Sequence, residues 1–153
     1  MNSIVLAMFI CPVAGEPMKP VDKVEAIIGA GLKGDRYYTG EGSWNKGKPG
    51  KRQVTLINAI FFKDSEFKYA DSRRNIIVEG IELMSLIGKE FQIGNAKMQG
   101  LKYCDPCNRP STLAGNDISF REAFSDRGGL IAEVVYGGII EVDDLLTPPQ
   151  KGY

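Results

Sequence analysis

The sequence has no histidine among its 153 residues. Its absence excludes Ser-His and Cys-His catalytic pairs, histidine general bases and histidine-ligated metals. Cysteine is also scarce, with only Cys11, Cys104 and Cys107. A small, odd number of cysteines does not suggest the disulfide framework of a small secreted protein, and it favours a reducing, cytoplasmic compartment.

An excess of one charge and a long apolar run are missing as well. Lysine plus arginine and aspartate plus glutamate each number 19, so the formal net charge is zero. That balance argues against a protein that grips nucleic acid mainly through its phosphates. No stretch approaches the roughly 18 apolar residues of a bilayer-spanning helix. The apolar residues 1–10 lack a preceding basic run, which favours a first core strand over a signal peptide. We therefore expect neither nucleic acid nor a membrane as a partner.

Length and residue spacing predict one mostly β domain over residues 1–153. Short runs of aliphatic and β-branched residues, separated by glycine and proline, are typical of strands. Many such strands with few helices favour a closed β-barrel with a few short peripheral helices. The predicted strands cover residues 3–10, 24–28, 52–57, 75–78, 90–93, 96–103, 130–136 and 138–142, the last two as a pair.

Few helices are predicted. The clearest begins at Ser119-Phe120-Arg121-Glu122, a capping-box pattern, and ends at Arg127-Gly128-Gly129. Residues 58–68 favour a helix capped by Asn58, and residues 81–87 allow at most two helical turns. The proline-rich tail after Leu146 is expected to be loose.

Residues 39–50 form a glycine-rich loop that contains the lone tryptophan, Trp44. Loops of this length in a compact domain are usually functional or mobile. With lysines around an aromatic ring, the segment suits a lid that closes over a flat, anionic ligand. The alternative is that Trp44 docks on one end of the barrel and pins the loop.

The first candidate for chemistry is Cys104-Asp105-Pro106-Cys107. Two thiols at this spacing can share a metal, cycle as a dithiol, present one reactive thiolate or simply fill space. A structural zinc needs four ligands, and only Cys11 remains. A thioredoxin-like pair needs a following helix, and Asn108-Arg109-Pro110 is poor helix material. Lys102 and Arg109 flank the pair, and neighbouring cations favour the thiolate form.

A second candidate is a set of basic segments near predicted strand ends. Arginine binds phosphate and carboxylate through a forked pair of donors, and glycine lets backbone amides approach an anion. These segments could converge on one anionic ligand, or each could be a solvated surface charge, with Asp35 and Arg36 forming a structural ion pair. The segments are Lys33-Gly34-Asp35-Arg36, Lys51-Arg52-Gln53 and Arg73-Arg74-Asn75. Arg127-Gly128-Gly129-Leu130, in contrast, indicates by itself only the end of a helix.

Taken in order, these segments resemble the MOSC domain, the family named after the C-terminal domain of molybdenum cofactor sulfurases. The resemblance spans about residues 24–144 and implies a β-barrel-like fold with a few peripheral helices. The matching segments are Gly34-Asp35-Arg36, residues 52–57, Arg73-Arg74-Asn75-Ile76 with Gly80-Ile81, residues 91–94, Cys104-Asp105-Pro106-Cys107 and residues 127–138.

The resemblance implies binding of the molybdenum cofactor, a pterin that carries a dithiolene and a phosphate. Cys107 follows a proline, as the family's key cysteine does in many members, and would be the metal ligand and catalytic residue with Cys104 as its companion. Many members have a histidine where Tyr37 stands, so any role of that imidazole is absent here. The family is also associated with pyridoxal phosphate. The cofactor-binding residues would be Lys33, Arg36, Arg52, Arg73, Arg74 and Asn75.

Three functions remain open at this point. The chain could be a molybdenum-cofactor oxidoreductase that reduces N-hydroxylated compounds with electrons from a separate donor protein. It could be a sulfur carrier that holds a persulfide on Cys107 and is loaded by a separate sulfur donor. It could also bind a small anionic molecule without turnover. The first two need the same reactive thiolate, so the residues alone do not separate them.

Overall fold

The computed structural model describes residues 3–39 and 52–149. Within these ranges the structure is mostly β, with short 3-10 turns at Ala59–Phe62, Tyr69–Ser72 and Leu83–Leu86. The strands are β1 (Ser3–Ile10), β2 (Lys19–Val21), β3 (Lys23–Ile27), β4 (Gly31–Leu32), β5 (Val54–Asn58), β6 (Ile76–Glu79), β7 (Glu90–Ile93), β8 (Ala96–Tyr103), β9 (Leu130–Tyr136), β10 (Gly138–Glu141) and β11 (Leu145–Thr147). The helices are α1 (Arg109–Ala114) and α2 (Phe120–Ala123).

Seven strands close into a barrel in the order β1, β6, β5, β9, β8, β7 and β11, which returns to β1. Neighbouring strands are antiparallel except β5 and β6, which run parallel. β2 extends the sheet beyond the barrel by pairing with the end of β1. The closed barrel with a few short helices confirms the fold class predicted from the sequence.

The barrel interior follows the two-residue period of its strands. In β7 the buried residues are Phe91 and Ile93, and their neighbours are exposed. β5 departs from this alternation, because all five of its residues are buried. Its outer face is covered by a second apolar cluster, in which Ile57 packs with aromatic residues that include Phe120 and Phe124 of the α2 region. The barrel is therefore covered on the side where α2 lies.

The predicted pairing of the last two long strands is wrong. β9 stays in the barrel, whereas β10 forms a separate three-stranded sheet with β3 and β4. The chain leaves the barrel at Gly137 and Gly138. A Cβ on Gly138 would lie 2.3 Å from the Asn95 carbonyl oxygen, so only glycine permits this close crossing.

The predicted helix over residues 58–68 is also wrong. Asn58 ends β5 without capping, and only a 3-10 turn, Ala59–Phe62, follows. Asp64 then adopts a left-handed φ of 63°, which a continuous helix does not allow. Phe62 and Phe67 pack into the second apolar cluster. Burial of these rings therefore replaces helix formation in this segment.

Two predictions about ends of elements also need correction. A helix does follow the cysteine pair, since α1 begins at Arg109 and accepts Pro110 in its first turn, where no amide donor is needed. The tail is ordered further than expected, because Leu146 and Thr147 pair with β7. The predicted lid and Trp44 lie outside the described residues, apart from Thr39. No helix in the described ranges is long and apolar enough to cross a membrane.

Candidate functional site

Five arginines from four separate parts of the chain line one pocket with a volume of about 50 Å³. Arg36 and Tyr37 follow β4, Arg52 precedes β5, and Arg73 and Arg74 precede β6. The rest of the wall comes from the loop after β1, from the segment between β8 and α1, and from the first turn of α1. Those residues are Ala14, Gly15, Cys107, Arg109 and Pro110.

Arg36 is buried with a single carboxylate partner. Its Nη1 lies 3.3 Å from Oδ1 of Asp35, which is the one ion pair between described residues. Its Nη2 donates to the hydroxyl oxygen of Tyr37 at 3.1 Å and to the carbonyl oxygen of Arg73 at 3.4 Å. The adjacent Asp35 and Arg36 thus form the structural ion pair considered from the sequence, while Arg36 also reaches the pocket.

Arg73 occupies an unusual backbone position for a large side chain. Its φ of 61° lies in the left-handed region, which costs a residue with a Cβ about 1–2 kcal/mol. The guanidinium donates to the carbonyl oxygen of Glu16 at 2.8 Å and to Sγ of Cys11 at 3.4 Å. Burial lowers the pKa of Arg73, and the positive charge of Arg36 lowers it further. The folded chain therefore holds this cation where a nearby anion would stabilise it.

Arg74 is 5% exposed and has one nitrogen without a partner. Its Nε donates to the carbonyl oxygen of Gly128 at 2.7 Å, and its Nη1 donates to that of Ser72 at 3.1 Å. Nη2 is buried and makes no hydrogen bond within the described structure. An unpaired, buried charged donor is costly, and Arg74 is one of the residues that line the pocket.

Arg52 connects the pocket to the buried member of the cysteine pair. Its Nε donates to the hydroxyl oxygen of Tyr37 at 3.3 Å, and its Nη2 donates to Sγ of Cys104 at 3.5 Å. Burial alone would lower the pKa of Arg52, but Tyr37 and Cys104 together outweigh burial and raise it. Arg52 therefore stays positively charged between the Tyr37 hydroxyl and the Cys104 thiol.

The pocket carries more positive than negative charge. Among the described residues of its wall there is no carboxylate, and Asp35 lies behind Arg36. Burial raises the pKa of Asp35 above 3.8, although Arg36 and the amides of Cys11 and Tyr37 oppose that rise. Several guanidinium groups facing one small space form a site for an anion with several acceptor oxygens.

Cys107 is the exposed member of the three cysteines, whereas Cys104 and Cys11 are fully buried. Besides the arginine pocket, Cys107 lines a second, open groove of about 800 Å³. That groove also contains Tyr103, Asp105, Arg121, Glu122 and Asp126. One accessible thiol thus lies between a small cationic pocket and a space large enough for a small molecule, since ligand pockets typically measure about 300–1,000 Å³.

Two residues predicted to bind a cofactor, Lys33 and Asn75, are not part of the pocket wall. Lys33 is exposed and is not part of the pocket wall. Asn75 is fully buried between strands, where its Oδ1 accepts from the amide and hydroxyl of Thr55 and its Nδ2 donates to Phe9. The structure gives Asn75 the role of holding β5, β6 and β1 together behind the site.

Sequence reasoning did not place three residues that shape the site. Arg109 lines the pocket, although from the sequence it was noted only as a cation that flanks the cysteine pair. Tyr37 was noted only for the histidine it replaces. Gly128 was assigned to a helix end, but a Cβ there would lie 1.9 Å from the carbonyl oxygen of Cys104. Nothing in the local sequence signals that contact.

A family model, described as the MOSC domain, matches residues 51–147, well over half of the chain. The chain belongs to the MOSC domain family. The match begins just before Arg52 and covers the segments that contribute Arg73, Arg74, Cys107 and Arg109. The resemblance stated from the sequence motifs is confirmed, and no curated protein matches this MOSC chain.

Solved structures share the fold of this MOSC domain. The YuaD protein of Bacillus subtilis is 18% identical, with a TM-score of 0.77 and 98% of each chain covered. YiiM from Escherichia coli is also 18% identical, with a TM-score of 0.68, 99% of this chain covered and 71% of that one. YiiM from Geobacillus stearothermophilus is 15% identical, with a TM-score of 0.70 and coverage of 98% and 76%. At these identities the likeness concerns the fold alone.

The chemistry of the pocket fits the cofactor that the MOSC family implies. The unpaired Nη2 of Arg74 and the neighbouring guanidinium groups suit a phosphate. Cys107, on the same wall, offers the soft sulfur ligand that suits a redox metal. The described residues contain no group of three or more side chains that could form a separate metal site of Cys, Asp and Glu. The described pocket residues thus offer donors for a phosphate and one thiol for a metal.

Proposed function

We propose that this MOSC domain binds the molybdenum cofactor, with the cofactor phosphate among the arginines and Cys107 as the protein ligand of the metal. The observation that carries the proposal is the convergence of Arg36, Arg73 and Arg74 on the pocket that Cys107 also lines, with one buried Arg74 nitrogen left without a partner. A phosphate oxygen would satisfy that donor, and its charge would offset the mutual repulsion of Arg36 and Arg73.

The size of the pocket sets which part of the cofactor it can take. Its volume of about 50 Å³ is far below the roughly 300–1,000 Å³ of a typical small-molecule pocket. It therefore suits a single phosphate and not an entire pterin. The open groove beyond Cys107, at about 800 Å³, leaves room for a substrate next to the thiol. Cys107 thus lies where a cofactor and a substrate would meet.

The bound cofactor would supply two-electron redox chemistry, and the chain would supply binding and orientation. Arg36, Arg73 and Arg74 would hold the anionic end, and Cys107 would hold the metal. The family resemblance suggests N-hydroxylated compounds as substrates and a separate protein as the electron donor. The groove beside Cys107 is open to solvent.

Pyridoxal phosphate, the family's other association, is a poorer match for this pocket. It would find the same phosphate donors, but its usual attachment is a Schiff base with a lysine. The wall of the pocket, within the described residues, contains no lysine. The thiol at Cys107 favours a metal-containing cofactor instead.

Pterin content tests the phosphate site directly. The wild-type chain and Arg74→Gln are purified from a host that makes the cofactor, and the released pterin is measured by fluorescence after oxidation. We expect the Arg74→Gln protein to retain less by a factor on the order of 10–100, the value of a charge-assisted hydrogen bond. Arg127→Gln is the control, since Arg127 is exposed and packs over Phe61 away from the pocket. Equal pterin in all three proteins would contradict the proposal.

A sulfur-carrier function is the second candidate, favoured by the exposure of Cys107 alone among the three thiols. A persulfide at an exposed position can be loaded and passed on by partner proteins. Incubation with a polysulfide followed by intact mass spectrometry should add one sulfur atom to the wild type and none to Cys107→Ser. Sulfur addition to a chain that retains no pterin would favour the carrier over the oxidoreductase.

A further inference from the structure

The segment that ends at the exposed thiol is held by hydrogen bonds at its two ends. Within the described part of the chain, no main-chain hydrogen bond reaches residues 105–107. Before them, the amide of Cys104 donates to the carbonyl oxygen of Gly129 at 2.9 Å. After them, the carbonyl oxygen of Asn108 accepts from the amide of Thr112 at 3.0 Å and from its hydroxyl at 3.1 Å. The end next to the thiol therefore depends on Asn108.

The side chain of Asn108 is fixed to the second helix and not to its own. Asn108 directly precedes α1, a position where asparagine commonly accepts a hydrogen bond from the helix that follows. It makes no such bond here. Its Oδ1 instead accepts from the hydroxyl of Ser119 at 2.7 Å and from the amide of Arg121 at 3.0 Å, both at the start of α2. The residue after Cys107 is thus tied to α2 by two hydrogen bonds.

The start of α2 is in turn anchored on the barrel. Phe120 is fully buried and belongs to the second apolar cluster, which covers Ile57 of β5. The amide of Phe120 also donates to the hydroxyl oxygen of Ser111 in α1 at 2.7 Å, so the two helices are joined at a second point. Through these contacts, Asn108 connects Cys107 to a buried part of the molecule.

We propose that Asn108 is a positioning residue for Cys107, an inference that rests on the proposed function of this thiol as metal ligand. Asn108 lines the open groove together with Cys107, but its side-chain oxygen already accepts from α2. Ordering a residue costs conformational entropy, and a site that is ordered before its ligand arrives avoids that cost on binding. Asn108 therefore holds the thiol in place before a metal binds.

Two variants of Asn108 and one matched control test this role. Asn108→Ala removes the oxygen that accepts from α2, whereas Asn108→Asp keeps oxygen acceptors at that position and should behave as wild type. Asn116→Ala is the control, because Asn116 lies beyond the other end of α1 and outside the groove. Its Oδ1 accepts from the amide of Ile118 at 2.8 Å, and its Nδ2 donates to the carbonyl oxygen of Glu66 at 3.3 Å. The control thus also loses side-chain hydrogen bonds to the main chain.

The first measurement is electron paramagnetic resonance of a nitroxide attached to Cys107, the exposed thiol, in the cofactor-free protein. We expect the label to move faster in Asn108→Ala and as in wild type in Asn108→Asp and Asn116→Ala. The second is molybdenum per chain after purification from a host that makes the cofactor. Asn108→Ala should retain less by a factor on the order of 10, the effect of having to order one more residue on binding.

The two measurements separate this inference from the proposed function. Asn108→Ala that matches wild type in label mobility or in molybdenum content would overturn the positioning role. The same changes in Asn116→Ala as in Asn108→Ala would overturn it as well, because the effect would then reflect a general loss of hydrogen bonds. Wild-type protein without molybdenum would instead overturn the proposed function, and label mobility would still decide whether Asn108 fixes Cys107.

Discussion

The three thiols of this chain differ in their accessibility to solvent. Cys11 is buried, donates to the carbonyl oxygen of Val13 and accepts from Arg73. Cys104 is buried under Arg52. Cys107 alone is exposed, at the boundary of the arginine pocket and the open groove. A large reagent, substrate or partner can therefore meet only one of them in the folded protein.

We predict that iodoacetamide labels Cys107 in the native protein and labels Cys11 and Cys104 only after denaturation, because attack requires an accessible thiolate. Peptide mapping by mass spectrometry provides the measurement. Cys107→Ser serves as the control and should show no native labelling. Rapid native labelling of Cys104 would show that the Arg52 contact does not protect it.

Asp35 is a fully buried carboxylate whose partners only partly compensate for its burial. The amides of Cys11 and Tyr37 donate to it at 2.8 and 3.2 Å, and Arg36 pairs with it. Burial nevertheless raises its pKa above 3.8. The folded protein therefore binds a proton at Asp35 more readily than the unfolded chain does.

The sign of this shift gives a pH dependence. Stability contributed by Asp35 is fully present below pH 3.8 and is lost as the pH rises through the raised pKa of the folded state. We predict that the free energy of unfolding of wild type, relative to Asp35→Asn, falls as the pH increases over that window. Urea unfolding of both proteins across acidic to neutral pH provides the test, and a difference that rises with pH would contradict it.

The turn between α2 and β9 is built on close backbone contacts. The amide of Cys104 donates to the carbonyl oxygen of Gly129 at 2.9 Å, and Arg74 donates to that of Gly128. A Cβ on Gly129 would lie 2.1 Å from the carbonyl oxygen of Leu56. The two glycines thus let the segment that carries the cysteine pair approach β9 and the arginines.

Gly128→Ala should move the segment from Cys104 to Cys107, because the new Cβ would lie 1.9 Å from the carbonyl oxygen of Cys104. We predict a loss of stability of about 1–3 kcal/mol, as for overpacking, and an altered alkylation rate at Cys107. Gly29→Ala is the control, since nothing lies within 4 Å of its Cβ position, although its left-handed φ of 73° adds a strain that Gly128 does not have. A Cys107 rate unchanged in Gly128→Ala would show that the turn does not position the thiol.

Strand positions were largely readable from the sequence, since strands 3–10, 90–93 and 96–103 were predicted with the observed bounds. The elements that were predicted wrongly are determined by burial and contacts in the folded protein. Phenylalanines after β5 were drawn into the second apolar cluster instead of a helix, and β10 joined β3 through a crossing that only Gly138 allows. Such long-range contacts leave no local pattern.

The site was predictable to a similar degree. Its arginines and Cys107 stood out by residue type near strand ends. Other features of the site depend on which side chains point inward. These are the position of Arg109 in the wall, the burial of Cys104, and the placement of Lys33 and Asn75 outside the pocket. That direction is fixed by packing and hydrogen bonds between distant segments, such as Asn75 with Thr55 and Phe9.

Across the whole molecule, a net charge of zero coexists with a strongly cationic pocket. The closed barrel and the second apolar cluster make this possible, because they hold Arg36, Arg73 and Arg74 together although like charges repel. The balanced overall charge argued against nucleic acid as a main partner, but it gave no indication of the positive charge concentrated in this pocket. The fold thus holds several arginine side chains together in one pocket, where an anionic cofactor would neutralise their charge.

Molybdenum content tests the central claim most directly. Wild type, Cys107→Ser and Cys11→Ser are purified from a host that makes the cofactor, and metal per chain is measured by elemental mass spectrometry. We predict molybdenum stoichiometric with the chain in wild type and in a folded Cys11→Ser protein, and a large loss in Cys107→Ser. Because Cys107 is exposed, its replacement should leave the free energy of unfolding within about 0.5 kcal/mol. Wild-type protein without molybdenum, or Cys107→Ser with as much of it as wild type, would contradict the account.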